Sequence, residues 1–202
     1  MLSVRHLTLE RYFMPVFEPV SFTLSGGELL LVTGANGSGK TTLIRMLAGV
    51  LRPSQGEIRM EEGDSGSVGR VYVGHQLAVK DDLNVLENIR FMQAFLGAGE
   101  EQPEEIARQL GLQHVSHQAA RTLSAGQRKR CALGRLHSPG RPLWLLDEPY
   151  SNLDREGMRM LDGLLARHLA SGGACVMSTH GSLKPEGFEY RETELRAGTP
   201  PT

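Results

Sequence analysis

Apolar and polar positions alternate in short blocks along this chain, and the blocks predict strands and helices in turn. At the start, Leu2, Val4, Leu7 and Leu9 alternate with polar residues, which predicts strands near a sheet edge. Residues 28–33 are instead almost continuously apolar. Continuous apolar runs of this length are typical of parallel strands that are buried on both faces.

Further core strands and several helices follow along the chain. The pattern predicts strands over 71–73, 142–146 and 174–178, and helices over 41–51, 82–97, 104–110 and 155–171. Little strand signal occurs between about residues 80 and 120, which predicts a mostly helical insertion. Strands that alternate with helices indicate an α/β fold with a largely parallel central sheet. In such folds, ligands bind beyond the carboxyl ends of the strands.

Composition narrows the class of protein without identifying it. A length of 202 residues suits one domain, and a net charge of -1 gives no basic field for nucleic acid. No apolar run approaches the roughly 20 residues that span a bilayer. The first residues do not have the pattern of a secretory signal. Cys131 and Cys175 are expected to be buried small hydrophobes rather than redox or metal residues, which fits a reducing compartment.

Segment 34–42 has the pattern GxxxxGK[ST] between a predicted buried strand and a predicted helix. Glycines let backbone N–H groups converge on phosphate oxygens, and the N-terminus of the helix favours the same anion. Lys40 is expected to reach the β- and γ-phosphates, and Thr41 to bind Mg²⁺. The alternative is a glycine turn that happens to contain a lysine, but the strand–loop–helix order favours phosphate binding. The predicted nucleotide-binding residues are Gly34, Ala35, Asn36, Gly37, Ser38, Gly39, Lys40, Thr41 and Thr42.

Two adjacent carboxylates end the predicted strand over 142–146. Asp147 is placed to hold the Mg²⁺ shell, and Glu148 to polarise the water that attacks the phosphate. Solvated acids at the end of a strand are the alternative interpretation. Because Pro149 stops the strand directly afterwards and a phosphate loop is present, the pair favours an ATP-hydrolysing site that uses Mg²⁺.

The segment Leu123-Ser124-Ala125-Gly126-Gln127 resembles the LSGGQ signature of ABC-type ATPases. Without that resemblance, it predicts an N-cap at Ser124 for a helix over 128–136, and a capped helix N-terminus is also an anion site. In the ABC family this segment contacts the γ-phosphate bound by the opposite subunit. The resemblance therefore implies that Ser124, Gly126 and Gln127 act on ATP held by a second copy. Ala125 departs from the consensus glycine, but a helical first turn suits alanine.

Three further residues occur in the order that the ABC family has. The resemblance implies that Gln76 touches Mg²⁺ or the attacking water, and that Asp154, in Ser151-Asn152-Leu153-Asp154, links the two sites of a dimer. It also implies that His180, after Ser178-Thr179, contacts the γ-phosphate. A lone glutamine or histidine would otherwise indicate a structural residue.

The aromatic residue that stacks on adenine is predicted from its position alone. Tyr12 lies 22 residues before Gly34 and is the first candidate, and Phe13 is the second. Phe17 is expected to lie in the core. Stacking of this kind contributes roughly 1–3 kcal/mol. The basic run 128–130 is expected to be a solvated helical face rather than a nucleic-acid patch.

The resemblance to ABC ATPases covers about residues 2–195. It implies a P-loop NTPase fold with a mainly parallel central sheet, an antiparallel β edge and a small helical subdomain. It also implies one ABC ATPase domain over 1–202, with the helical subdomain, about 80–120, inserted between the Gln76 loop and the signature segment.

The chain resembles the ATPase subunit of the cytochrome c maturation system, which is described as a haem exporter. The resemblance rests on its short length, on Val73-Gly74-His75-Gln76 and on LSAGQ in place of LSGGQ. That resemblance implies a second copy of the chain, integral membrane permease subunits and a peripheral position at the cytoplasmic face of the inner membrane. It implies no nucleic-acid partner. Two alternatives stay open: the ATPase of another transporter, for lipoprotein release or small solutes, and a soluble ABC ATPase acting in DNA repair or on ribosomes.

Overall fold

The computed structural model describes residues 2–60, 69–96, 101–179 and 183–199. Its elements, in chain order, are β1 (Leu2–Thr8), β2 (Glu10–Arg11), β3 (Met14–Pro15), β4 (Val20–Leu24), β5 (Leu29–Thr33), α1 (Lys40–Leu47), β6 (Gln55–Met60), β7 (Arg70–Val73), α2 (Val85–Leu96), α3 (Pro103–Gln109), α4 (Ala125–Leu133), β8 (Leu143–Asp147), α5 (Arg155–Ala170), β9 (Ala174–Ser178) and β10 (Arg191–Glu194). The chain divides into two compact units, the first formed by 1–74, 141–149 and 167–202, and the second by 75–140 and 150–166.

A five-stranded parallel sheet forms the centre of the first unit, with strand order β10-β5-β9-β8-β7. All residues of β8 and β9 are buried, and β5 is buried apart from its last residue, Thr33. Helix α1 packs against β8 and β9. The continuous apolar runs therefore form the inner strands of the sheet, as the pattern predicts, and the predicted α/β fold with a parallel sheet is confirmed.

Antiparallel strands of the first unit form a sheet of their own, with order β4-β1-β6. Leu2 pairs with Leu24 on one side and with Met60 on the other. The apolar residues of these strands join those of the parallel sheet and of α1 in one hydrophobic cluster. The alternating pattern at the start of the chain thus corresponds to a strand with one face in this core. The predicted position near a sheet edge is wrong for β1, which lies between β4 and β6.

Helix α1 ends earlier than the apolar periodicity predicts. The pattern extends to Leu51, but the helix stops at Leu47. Gly49 adopts φ +75°, a left-handed conformation typical of helix ends, so the chain turns away there. Val50, an apolar position of the predicted helix, is 60% exposed as a result.

The half-buried His168 connects the end of α5 to the amino ends of β8 and β9 in the first unit. Its ring stacks on Trp144 with 3.9 Å between the ring centroids and 9° between the planes. Its Nε2 lies 3.1 Å from the carbonyl oxygen of Ala174. Burial lowers the pKa of His168 below its ordinary value of 6.5, because the charged ring would lose its hydration there.

Helices and short turns make up the described part of the second unit. Helix α2 begins at Val85 rather than at the predicted residue 82, because Asn84 and Glu87 form a reciprocal cap of 2.8 and 2.9 Å at its start. Asn88, 1% exposed, fixes the preceding loop through its amide, which bonds to Lys80 and Leu83. Across all described ranges of the chain, no helix is both long and apolar enough to cross a membrane.

Candidate functional site

The phosphate loop of the first unit connects β5 to α1 and is held tightly by its surroundings. Gly34 has φ +137°, and a Cβ on it would lie 2.4 Å from the carbonyl oxygen of Leu195. Gly39 has φ +94°, and a Cβ on it would lie 2.7 Å from Cδ1 of Phe17. Only glycine fits both positions without moving backbone or ring, so the loop keeps its shape. Phe17, predicted to lie in the core, is fully buried.

Lys40 extends back across the loop that precedes it. Its side chain is largely buried, and its Nζ donates hydrogen bonds to the carbonyl oxygens of Gly34 at 2.8 Å and Ala35 at 3.0 Å. Ala35, Asn36 and Gly37 are exposed at the tip of the loop. The ammonium group is therefore already placed at the centre of the loop. A phosphate anion could replace the two carbonyl oxygens as its hydrogen-bond acceptors.

A cluster of polar groups is buried where the central strands end. Asp147 is 1% exposed, and its Oδ1 accepts hydrogen bonds from Thr41 Oγ1 at 3.1 Å and from Ser178 Oγ at 2.7 Å. Asp147 and Ser178 are partners in the parallel register of β8 and β9. The sheet thus brings together three side chains that lie far apart in the sequence.

Two buried oxygens of this region have no hydrogen-bond partner among the described residues. They are Oδ2 of Asp147 and Oγ of Ser38. A buried carboxylate oxygen without a partner is costly unless a cation or a donor satisfies it. Carboxylate and hydroxyl oxygens are the protein ligands that Mg²⁺ prefers. Asp147 and Thr41 therefore fit the metal-binding roles predicted for them.

Glu148 follows directly after β8 in an unusual backbone conformation. Its φ is +46°, in the left-handed region that non-glycine residues rarely adopt, and its backbone N–H donates to Ser178 Oγ at 3.0 Å. The residue is half-buried, whereas Asp147 before it is fully buried. A strained conformation that is held by a hydrogen bond is a common feature of functional sites.

The two candidate adenine-stacking residues form the tip of the hairpin between β2 and β3. Tyr12 is 96% exposed and Phe13 is 92% exposed. Both have positive φ, +52° and +62°, as the paired positions of a tight two-residue hairpin turn require. Bulky aromatic residues are disfavoured in such turns, so their presence at the tip has a cost in folding free energy. The choice between Tyr12 and Phe13 stays a prediction.

In the second unit, the signature segment caps helix α4. Ser124 Oγ accepts a hydrogen bond from the Gln127 backbone N–H at 3.2 Å, and Gln127 Oε1 accepts one from the Ser124 backbone N–H at 2.9 Å. This capping box places the start of the helix at Ala125, three residues before the predicted start. Ala125 takes a helical conformation and is exposed, which agrees with the expectation for this departure from consensus.

Gly126 lies against the segment that contains Asp154. A Cβ on Gly126 would lie 3.0 Å from the carbonyl oxygen of Asn152, closer than nearly all real Cβ contacts. The backbone at Asn152 therefore approaches Gly126 too closely for a side chain to fit between them without a shift. Around it is a cavity of about 630 Å³, lined by Ser124, Gln127, Arg130 and Asp154 among others.

The expectation that the basic run 128–130 is a solvated face is wrong. Lys129 is 2% and Arg130 is 8% exposed. The Arg130 guanidinium donates to Asp154 Oδ1, which also accepts from the Gly157 backbone N–H at 2.8 Å. That backbone hydrogen bond, and then Arg130, hold the pKa of Asp154 below its ordinary value. The arginine is buried because it connects α4 to the start of α5, a contact that helical periodicity cannot reveal.

The structure gives no contact that supports a site role for Gln76, and it does not describe His180. Gln76 is exposed and lies in a bend after β7, among the first residues of the second unit. His180 lies outside the described residues, so its role stays a prediction from the resemblance. Thr42, the last residue of the phosphate loop pattern, is half-buried in the first turn of α1.

The sequence alone did not predict a role in the site for Ser178 or Arg130. Ser178 is named in the sequence interpretation only as part of the segment before His180, yet it bonds to both Asp147 and Glu148. Arg130 is interpreted there as part of a solvated face. For Ser178 a signal exists, since a hydroxyl at the end of a strand that is otherwise apolar must find a buried partner. For Arg130 the chain offers no such local signal.

Comparison with known proteins identifies the class to which this chain belongs. The sequence profile of the ABC transporter family matches residues 17–151. One solved structure, an ATP-binding cassette, MJ0796, in a dimeric post-hydrolysis state with ADP and Pi, superposes with a TM-score of 0.80 at 21% identity. The match covers 97% of this chain and 94% of that one. A putative ABC transporter ATP-binding protein from Pyrococcus furiosus gives a TM-score of 0.79 at 21% identity, over 97% and 98% of the two chains.

Curated relatives place the chain more narrowly. The cytochrome c biogenesis ATP-binding export protein CcmA of Xanthomonas campestris is 44% identical over 203 residues, covering 98% of this chain and 94% of that protein. CcmA of Mesorhizobium japonicum is 44% identical over 194 residues, covering 94% and 96%. The chain belongs to the ABC transporter family and, within it, to the cytochrome c biogenesis ATP-binding export proteins. The predicted P-loop NTPase fold and the resemblance to an ATP-binding ABC ATPase are both confirmed.

Proposed function

We propose that this chain is the ATP-hydrolysing subunit of a haem-export or cytochrome c maturation complex, working as a dimer on membrane permease partners. Its relatives are named as cytochrome c biogenesis ATP-binding export proteins. That agreement favours this role over lipoprotein release, small-solute transport or a soluble ABC ATPase. We also propose that both units belong to one ABC ATPase domain over residues 1–202, placed at the cytoplasmic face of the inner membrane.

One observation supports the ATPase role above all others. A buried carboxylate with one unpartnered oxygen, Asp147, lies at the carboxyl end of the central sheet and is bonded to the first turn of the phosphate-loop helix. A strand ending in a solvated acid would expose that oxygen to water. Burial of the carboxylate is understandable where a cation completes its environment.

Each group near this carboxylate has a proposed task. Backbone N–H groups of residues 34–42 and the N-terminus of α1 bind the phosphates. Lys40 exchanges the carbonyl oxygens of Gly34 and Ala35 for β- and γ-phosphate oxygens. Thr41 and Asp147 would hold Mg²⁺, whose charge would neutralise charge on the phosphates. The role of Gln76 at Mg²⁺ or the attacking water stays a prediction from the resemblance. Glu148 accepts a hydrogen bond from the attacking water, which makes the water a better nucleophile.

The signature segment has a proposed role on a second copy of the chain. Ser124, Gly126 and Gln127 lie at the start of α4, where a helix N-terminus attracts anions. We assign them to the γ-phosphate of ATP bound by the partner copy. His180 is assigned to the γ-phosphate from the resemblance alone. Asp154, held by Arg130 and by the Gly157 N–H, connects the two sites of that dimer. Tyr12 stacks on adenine.

A single substitution tests the proposed chemistry. Glu148→Gln removes the carboxylate but keeps the shape, so ATP binding is expected to persist while turnover falls by about 1000-fold. Light scattering after addition of Mg·ATP is expected to show a long-lived dimer. Glu189→Gln, an exposed glutamate of the same unit, serves as the control and is expected to hydrolyse ATP like the parent. Ordinary turnover in Glu148→Gln would contradict the assignment.

The same variant tests the transport role. Tagged Glu148→Gln chain, purified from detergent-solubilised membranes with Mg·ATP, is expected to retain a multi-span membrane protein. Recovery without any membrane protein, combined with ATPase activity stimulated by nucleic acid, would favour the soluble alternative and contradict this proposal.

A further inference from the structure

Ser178 is the last residue of β9 and is fully buried. It is the register partner of Asp147 in β8 and of Val32 in β5. It therefore lies at the carboxyl end of the middle strand of the parallel sheet. The side chains around it along β9 are apolar apart from Cys175, and all are buried. A hydroxyl at such a position costs free energy unless its hydrogen-bonding capacity is used.

The hydroxyl of Ser178 donates one hydrogen bond and accepts another, and its two partners are Asp147 and Glu148. Its oxygen lies 2.7 Å from Asp147 Oδ1, which can only accept, so the hydroxyl donates its one hydrogen there. Its lone pair accepts the backbone N–H of Glu148 at 3.0 Å. Together they form a directed chain of hydrogen bonds from the Glu148 amide through Ser178 to the Asp147 carboxylate. Such chains strengthen each of their members in a low-dielectric environment.

Neither residue is held in this arrangement by the local sequence. Glu148 has φ +46°, which is unfavourable for a residue with a side chain. Asp147 has two equivalent oxygens, and the chain of bonds determines that Oδ1 faces Ser178 and Thr41 while Oδ2 has no partner among the described residues. The Ser178 hydroxyl contacts both features at once.

We propose that Ser178 is a positioning residue for ATP hydrolysis. It fixes the backbone turn at Glu148, and thereby the direction of that carboxylate. It also leaves the second oxygen of Asp147 without a partner among the described residues, so that this oxygen would be available to a cation. This inference rests on the proposed roles of Asp147 and Glu148. Ser178 touches neither nucleotide nor water in this role, and acts only through its two neighbours.

Removal and rescue of the hydroxyl test the inference. In Ser178→Ala, kcat for ATP is expected to fall by about 10–100-fold while KM changes by less than about threefold. The Mg²⁺ concentration for half-maximal activity is expected to rise by about 3–10-fold, since Asp147 loses one of its orienting bonds. Ser178→Thr retains the hydroxyl on a β-branched side chain suited to a strand, and is expected to restore most of the lost turnover.

A measurement without catalysis gives a second readout. Amide hydrogen exchange at Glu148, followed by NMR in the full chain, is expected to accelerate by about tenfold or more in Ser178→Ala and to return toward the parent rate in Ser178→Thr. Cys175→Ala, on the same strand, is the matched control for lost packing. It is expected to lower the thermal midpoint at least as much as Ser178→Ala, with turnover near that of the parent.

The outcomes separate this inference from the proposed function. Parent-like kcat and Glu148 exchange in Ser178→Ala would overturn the positioning role, and so would a Ser178→Thr variant as defective as Ser178→Ala. A Cys175→Ala variant with an equal loss of kcat would also overturn it, because general loosening would then explain the effect. Parent-like turnover in Glu148→Gln would overturn the proposed function instead, while rescued Glu148 exchange would still support the bond to Ser178.

Discussion

In the first unit the site has a buried core of polar side chains, whereas in the second unit most of the site's polar side chains lie at the surface. Asp147, Ser178 and Lys40 are at most 7% exposed. Ser178 donates to Asp147 between the ends of two inner strands, and Lys40 donates to the phosphate loop. Ser124 is exposed, and Asp154 has a side chain that is 67% exposed. The signature segment is shaped by a capping box rather than by burial.

This difference indicates how each unit can act on a phosphate. A buried cluster between strands cannot reorganise much without disturbing the core, so it binds its ligand with a geometry fixed in advance. An exposed, capped helix N-terminus can present N–H groups to an anion at the protein surface. This contrast is what the proposed function requires, in which the first unit holds a nucleotide and the second contacts the nucleotide of a second copy. Substitutions in the two units should differ accordingly in their effect on binding and on stability.

The largest expected effect is on nucleotide binding in the first unit. Lys40→Ala removes a largely buried ammonium that already points into the phosphate loop, and is expected to weaken binding of a non-hydrolysable ATP analogue by about 100-fold. Isothermal titration calorimetry measures the change. Lys184→Ala, which removes a cation from an exposed ion pair with Glu192, is the control and should bind like the parent. An affinity near the parent value in Lys40→Ala would contradict the proposed role of the first unit in nucleotide binding.

An intermediate effect is expected in the second unit, on turnover rather than on folding. Ser124→Asp keeps an efficient N-cap but places a negative charge where the partner's γ-phosphate is proposed to bind. Thermal unfolding should therefore remain near that of the parent, while ATP turnover falls by about tenfold or more. Ser124→Asn, a neutral cap of similar size, is the matched variant and should retain more activity. Equal turnover in the aspartate and asparagine variants would argue against a phosphate at this helix end.

The smallest effect concerns the stability of the first unit below neutral pH. Because burial lowers the pKa of His168, the native ring resists protonation that the unfolded chain accepts from its ordinary pKa of 6.5 downward. Stability from this residue is thus fully present above about pH 6.5 and is lost as the pH falls toward the lowered pKa. The fluorescence of Trp144, the one tryptophan of the chain, reports unfolding at this site.

A matched pair of variants isolates that pH dependence. His168→Gln is expected to flatten the decline of the thermal midpoint between about pH 7 and pH 5.5, since its amide does not titrate in that range. His117→Gln, at an exposed position of the second unit, should leave the decline unchanged. A decline as steep in His168→Gln as in the parent would assign it to other groups.

Local chemistry allowed much of the fold and site to be predicted. Continuous apolar runs identified β5, β8 and β9, because a strand covered on both faces leaves no position for a polar side chain except at its end. Prediction failed where a distant contact decides the outcome. Arg130 has the sequence neighbourhood of a solvated residue, but it is buried where it contacts Asp154 and Glu156. Helix α1 ends at Leu47 rather than at Leu51, because the left-handed Gly49 that follows outweighs apolar periodicity.

The sequence by itself determined the phosphate loop, the paired carboxylates and the capped signature segment, since each depends on residues that are neighbours along the chain. Only the tertiary structure decided how those groups are oriented. The register between β8 and β9 brings Ser178 to Asp147 and Glu148 across 31 and 30 residues of sequence. Pairing between parallel strands is set by the packing of the whole sheet, so no local pattern specifies which hydroxyl meets which carboxylate.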